Sequence, residues 1–251
     1  MSNLIDKWRG RWPSRATKAV FDSLGYAIVP KWQQATETWG GLKRVPIKTI
    51  LDIGALRGEF AENILAPAFP GATIHCFEPS PEAFPLLAKR AAASSGRIIA
   101  HHFGLGEKEA ELKFFVNIDF LASSSFLEQT ETNIQAFPQL ERVEERVAKV
   151  KKLDNIAPEL KITPDLLIKI DTQGYEAHVI RGGRETLRSA VACIVEVQVG
   201  ELYEGTSHFS DIYTELSALG FLYCGTFDQV LSREGDVLYF DGLFIRAGAL
   251  N

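Results

Sequence analysis

Residues 47–58 read Ile47-Lys48-Thr49-Ile50-Leu51-Asp52-Ile53-Gly54-Ala55-Leu56-Arg57-Gly58. The run to Ile53 predicts a short apolar strand, the glycines that follow a turn, and a helix is expected from about Glu59 to Leu65. Glycine lets a chain turn tightly and approach a ligand closely, and open α/β sheets bind ligands at this carboxyl edge. Asp52, Gly54, Ala55 and Gly58 are therefore candidate cofactor-binding residues.

Outward from this turn, strands keep alternating with helices. Ala72 to Glu78 reads as a second strand, and Pro79-Ser80-Pro81 leads into a helix through Leu87 and Arg90. Pro is well tolerated in a first helical turn, whose N–H groups have no helical partner. Arg97 to Phe103 is a third strand, with Glu111 to Asn117 expected beside it and 118–150 less regular. Leu166 to Asp171 is a fourth strand, followed by a helix through about Leu187, and Val191 to Val199 is a fifth. Asp211 to Leu219 reads as a helix ended by Gly220, and Phe221 to Thr226 with Val237 to Arg246 as a hairpin.

Near-continuous apolar strands joined by helices indicate a parallel sheet covered on both faces. The fold class expected is Rossmann-like α/β, with a mostly parallel seven-stranded sheet and an antiparallel edge hairpin. Residues 1–46 form a helical N-terminal extension and 47–251 the catalytic domain in this reading.

Composition narrows the function. The 251 residues are 46% apolar and 24% charged, enough to fill a sizeable core, and no apolar run approaches the roughly 20 residues of a membrane-spanning helix. No apolar stretch with a small-residue cleavage site marks the N-terminus, so a cytoplasmic protein is expected. Cys76, Cys193 and Cys224 are too far apart in sequence for a metal or redox pair, and Cys76 and Cys193 read as buried thiols. A net charge of −5 argues against nucleic acid as a main partner, because phosphate binding wants a concentrated basic face. Residues 1–20 are the exception: Lys7, Arg9, Arg11, Arg15 and Lys18, interleaved with Leu4, Ile5, Trp8 and Trp12, suit a weak contact with a membrane surface or anionic partner.

Three further places carry chemistry. Glu78 ends the second strand, where an acid accepts hydrogen bonds from the ribose hydroxyls of NAD or S-adenosylmethionine. Lys169 and Asp171 share one face of the fourth strand, and a lysine inside an apolar strand needs a partner or a cleft. His101 and His102 close the third strand, where one of them can line a cofactor pocket. A dinucleotide fingerprint G-x-G-x-x-G begun at Gly54 would need glycine at 56 and 59, where Leu56 and Glu59 stand.

Taken together, Leu51-Asp52-Ile53-Gly54-Ala55, Phe77-Glu78-Pro79, Leu153-Asp154, Ile168-Lys169-Ile170-Asp171-Thr172-Gln173-Gly174-Tyr175-Glu176 and Ile194-Val195-Glu196-Val197 resemble the FkbM family of methyltransferases from about residue 47 to 246. Ser123 to Ser125 resembles a serine-rich segment of that family. The resemblance implies a class I methyltransferase fold, S-adenosyl-L-methionine as donor, and O-methylation of a sugar or other small hydroxylated acceptor. It departs at Gln173, where the family often carries Glu; hydrogen bonding is kept and a charge is lost.

In that reading Asp52, Gly54, Ala55, Gly58, Glu78, Pro79, His102 and Asp171 hold the cofactor. Asp171, Glu176, Glu196 and Lys169 are the catalytic candidates, with Asp171 first in line as general base from its strand-end position. Asp171, Glu176 and Glu196 could also converge on Mg²⁺, although no metal site is expected. The acceptor pocket is expected from 118–150 and 200–210, where Phe120, Phe126, Tyr203 and Phe209 are either a stacking wall or core. Two other functions fit the same fold: a catalytically weakened module that binds a glycan or protein, and a nicotinamide-dependent oxidoreductase.

Overall fold

The computed structural model describes residues 15–24, 39–232 and 234–249. The strands are β1 (Thr49–Ile53), β2 (Thr73–Phe77), β3 (Ile98–His101), β4 (Gly104–Leu105), β5 (Ala110–Asn117), β6 (Val143–Lys151), β7 (Leu166–Ile170), β8 (Ala190–Gln198), β9 (Phe221–Leu231) and β10 (Val237–Arg246). Seven of them form one sheet in the order β3-β2-β1-β7-β8-β10-β9. The first five are parallel, and β10 runs antiparallel between β8 and β9. This is the expected class I methyltransferase architecture.

The sheet is buried on both faces because its central strands lack polar alternation: β1 and β7 are buried at every position. On one face Leu51, Ile53, Ile168, Ile170, Val195 and Phe244 pack against the helices α4 (Glu176–Gly182), α5 (Arg184–Ser189) and α6 (Phe209–Ala218). On the other, Ile50, Ile74, Leu167 and Ile194 meet the helical turns of 61–68 and α2 (Phe84–Ala93). Further helices are α1 (Arg15–Ser23) and α3 (Glu131–Ala136), with shorter helical turns that include Trp39–Arg44 and Leu153–Ile156.

The structure differs from the sequence reading in four places. Strand β5 does not join β3; it pairs antiparallel with β6 along its whole length, in a second sheet of order β4-β6-β5. Strand β6 was hidden because its first five residues, Val143 to Val147, are not buried, so hydrogen bonding to β5 and not apolar alternation defines it. The helix after β7 breaks at Gly182-Gly183, where a Cβ on Gly182 would lie 1.9 Å from the Gly106 carbonyl oxygen. Finally, Trp39 and Leu42 are buried in the sheet's core, with Trp39 edge-on to Phe69 at 5.0 Å. A boundary at residue 47 therefore cuts through a packed unit. Lys7, Arg9, Arg11, Leu4, Ile5, Trp8 and Trp12 lie outside the described residues. No helix among the described residues is long and apolar enough to cross a membrane.

Candidate functional site

The turn after β1 presses against the turn after β7. Gly54 has φ of +83°, and a Cβ there would sit 1.8 Å from the Asp171 carbonyl oxygen, so only glycine fits. The amides of Gly54 and Ala55 both donate to the Phe77 carbonyl at 3.0 Å, which ties this turn to the end of β2. Glu78 follows immediately. Its two carboxylate oxygens accept from the amides of Leu56 and Ser80, each at 2.7 Å. Burial pushes its pKa up to about 8, against the pull of those two amides.

Above these turns lies an open cleft with about 600 Å³ of empty space, lined by Gly54, Leu56, Glu78, Pro79, Phe126 and Asp171 among others. A glycine cradle, a strand-end carboxyl group and apolar walls fit a nucleoside-bearing cofactor. Asp52 lies beneath the turn, fully buried, with Oδ1 unpaired by any hydrogen bond and burial raising its pKa. Gly58 packs against Leu87, and Ala55 is buried in the core. His102 is exposed, stacks on Phe84 at 4.1 Å and does not line this cleft; His101 instead stacks on Phe77 and bonds His75 at 3.0 Å.

A second cleft, of about 690 Å³, opens on the β7-β8-β10 side. Its lining includes Phe120, Glu196, Asp228, Tyr239 and Asp241, and it shares Ala122, Asp171 and Gln173 with the first. The two clefts thus have a common wall at Asp171 and Gln173.

Lys169 finds the partner its position demands. It stands beside Asp52 in the β1–β7 register, with Nζ 3.8 Å from Asp52 Oδ1 and 2.9 Å from Asp171 Oδ2. Burial opposes its charge, but Asp171, Asp52 and Asp241 outweigh that and hold its pKa above the ordinary lysine value. Glu196 pairs with Asp241 across β8 and β10. Burial first, and then the neighbouring Asp171, Glu176 and Asp241, raise the Glu196 pKa well above the carboxylate range. Asp241 is pushed up to about 6, chiefly by burial.

Glu176 stands apart from both clefts. It is fully buried, and Oε1 accepts from the Thr172 amide at 2.8 Å, the Thr172 hydroxyl at 3.1 Å and the Gly174 amide at 3.1 Å. Its carboxyl group shapes the loop before α4. Asp171 and Glu196 meet at Gln173 while Glu176 is turned into its own loop, and no three His, Cys, Asp or Glu side chains among the described residues form a metal-ligand set. Asp154 likewise accepts from the Thr186 amide and hydroxyl, each at 2.8 Å, and so anchors the start of α5.

Sequence reasoning did not assign the ties that close the site. Tyr203 is core, not a stacking wall: it is buried and donates its hydroxyl toward Gln173 Oε1 and the Ser123 carbonyl, each at 3.0 Å. The Ser125 hydroxyl donates to the Gln173 carbonyl at 2.7 Å. Phe120 lines the second cleft and Phe126 the first, whereas Phe209 packs on Tyr213 and Tyr223. The serine run was the signal available in the sequence; Tyr203 reads there as stacking wall or core, and the structure makes it core with a bond to Gln173.

The sequence profile of the methyltransferase FkbM domain matches residues 52–223, more than half of the chain. The 2-O-methyltransferase NoeI of Sinorhizobium fredii (strain NBRC 101917 / NGR234) is 29% identical over 168 residues, covering 64% of this chain and 67% of that protein. Among solved structures, the methyltransferase FkbM of Methylobacillus flagellatus KT superposes with a TM-score of 0.50 at 15% identity, over 78% of this chain. The chain spans only 44% of that protein's length, and at this identity the likeness concerns the fold. The chain belongs to the FkbM family of methyltransferases, which use S-adenosylmethionine.

Proposed function

We propose that the protein is an O-methyltransferase that acts on a hydroxyl of a carbohydrate or similar small polyol. The observation that carries this reading is the common wall of the two clefts, where Asp171 faces both. A donor in the first and an acceptor in the second would meet there.

S-adenosylmethionine, when bound, supplies a methyl group already activated on a sulfonium. The residues that fit it are Gly54, Glu78 and Pro79 along the first cleft, with Asp52 behind the turn. What the chain must add is alignment, which can supply several kcal/mol of a barrier, and a base for the departing hydroxyl proton. Asp171 is the base in this reading. Lys169 lies 2.9 Å from its Oδ2, and each carboxylate oxygen keeps a lone pair for an incoming hydroxyl. Glu176, closing its loop from within the core, has a structural role instead.

The second cleft supports a polyol acceptor over an anionic one. Asp171, Glu196, Asp228 and Asp241 line it, no Lys or Arg among the described residues does, and Phe120, Tyr239 and Phe240 offer ring faces. Carboxyl groups accept from sugar hydroxyls, and ring faces pack on sugar C–H groups. The likeness to a 2-O-methyltransferase agrees with this choice. The test is transfer of labelled methyl from S-adenosylmethionine to neutral glycans, phosphorylated sugars and amines in parallel. Label in the neutral glycans, at an oxygen, supports the reading; label only in amines or phosphorylated sugars contradicts it.

A further inference from the structure

The second cleft is walled by more acid than Lys169, buried behind Asp171, neutralises. Asp171 follows β7, Glu196 is on β8, Asp241 on β10 and Asp228 on β9, while Asp52 on β1 and Glu176 on α4 lie behind. Among the described residues Lys169 is the cation facing this group, and the phenols of Tyr203 and Tyr239 flank it. Carboxyl groups packed this way repel one another unless something neutral keeps them apart.

An amide does so here. Gln173 Nε2 donates to Asp171 Oδ1 and to Glu196 Oε1, each at 2.9 Å. Its Oε1 accepts from the Tyr203 hydroxyl at 3.0 Å. Both amide hydrogens and the amide oxygen are thereby assigned, and the reversed amide would set its oxygen against two carboxyl groups. The backbone does not favour this residue. Gln173 has φ of +56°, a left-handed conformation that Asn adopts more readily than Gln. What Gln offers over Asn is one methylene of reach.

We propose that Gln173 is a positioning residue for methyl transfer, its amide holding the carboxyl groups of Asp171 and Glu196 side by side at the wall between the two clefts. The inference rests on Asp171 being the base. With Oδ2 on Lys169 and Oδ1 on Gln173, the Asp171 carboxylate cannot rotate away from the wall. Glu196, whose pKa is raised by burial and by its acidic neighbours, keeps its proton to higher pH and does not compete for Lys169. A carboxyl group at 173 would have the same shape but would draw an extra proton into the cluster.

Two variants test this. Gln173→Asn keeps the left-handed turn and loses the reach; Gln173→Glu keeps the reach and adds an acid. Melting temperature against pH needs no acceptor, and kcat, KM and the pH profile follow with an accepted polyol. Gln173→Asn is expected to stay folded, its easier turn offsetting part of the lost hydrogen bonds, yet to lose about tenfold or more in kcat with the donor KM little changed. Gln173→Glu is expected to move the acid limb of the kcat profile up by about one pH unit. Its melting temperature should also fall more steeply than wild type between pH 6 and 8, as the extra proton is lost. An Asn variant with wild-type kcat would reduce Gln173 to a turn residue and overturn the proposal. So would a Glu variant whose melting curve follows wild type across that range. If no hydroxylated acceptor is methylated, the O-methyltransferase reading falls, while the melting slope still decides whether Gln173 couples the two acids.

Discussion

Away from the shared wall at Asp171, the first cleft is walled by backbone, glycine, apolar side chains and one carboxyl group pinned by amides; the second is walled by carboxyl groups held by side chains from several distant elements. Gly54, the Phe77 carbonyl and the Leu56 amide belong to short segments at two strand ends. Asp171, Gln173, Glu196, Asp241 and Tyr203 come from β10 and from the segments that follow or end β7 and β8. A site of the first kind is fixed once the turn folds. A site of the second kind depends on charges and on the proton count, so it is the place where acceptor choice and pH response can vary without loss of the donor pocket.

Substitutions at the two walls should therefore fail differently. Gly54→Ala is expected to have the largest effect. Its Cβ meets a backbone oxygen that cannot move aside, so the turn and the neighbouring β7 loop must both shift. The loss of stability should be on the order of 4 kcal/mol, visible in denaturant melts, with donor binding abolished. Next comes Asp171→Asn, expected to leave the fold intact and lower kcat by about 10²–10⁴-fold in a methyl-transfer assay. Wild-type kcat in that variant would remove Asp171 as base and break the link between the clefts.

Glu78 provides a pH test of the first wall. Its folded pKa of about 8 lies above the unfolded value, so its contribution to stability is full below the unfolded pKa and fades as pH rises through 8. The ligand-free protein should melt progressively lower from pH 5 to 8.5, and Glu78→Gln should flatten part of that slope. Glu176, raised to about 7, and Asp241 contribute with the same sign, so the slope is expected to shrink, not vanish. Donor affinity should strengthen over the same interval, since ionised Glu78 is the better acceptor for hydroxyl donors. The smallest effect is expected at His102. It is exposed, outside the cleft lining and stacked on Phe84, so His102→Ala should change donor affinity less than about threefold.

The same contrast explains what could be read from the sequence. The β1 turn, Glu78 and the β7 motif were legible because each is a local pattern: an apolar strand, then residues whose type is dictated by the turn itself. Lys169 was legible as a cation in need of a partner, and Asp171 two residues on supplied it. The second sheet was not legible, because β6 is largely exposed and carries its order in ladder bonds to a strand some thirty residues away. Nor was the role of Tyr203 or Glu176. A buried phenol looks like core, and a loop-closing carboxylate looks like a catalytic one, until the atoms they bond are known.

Binding of S-adenosylhomocysteine, measured by calorimetry at pH 8.5, separates the roles of the two walls. Glu78→Gln should weaken binding about 10- to 100-fold, the range of a hydrogen bond to a charged group, while Glu196→Gln should bind as wild type does. If Glu196→Gln lost binding and Glu78→Gln kept it, the donor would belong in the second cleft and the assignment of both walls would be reversed.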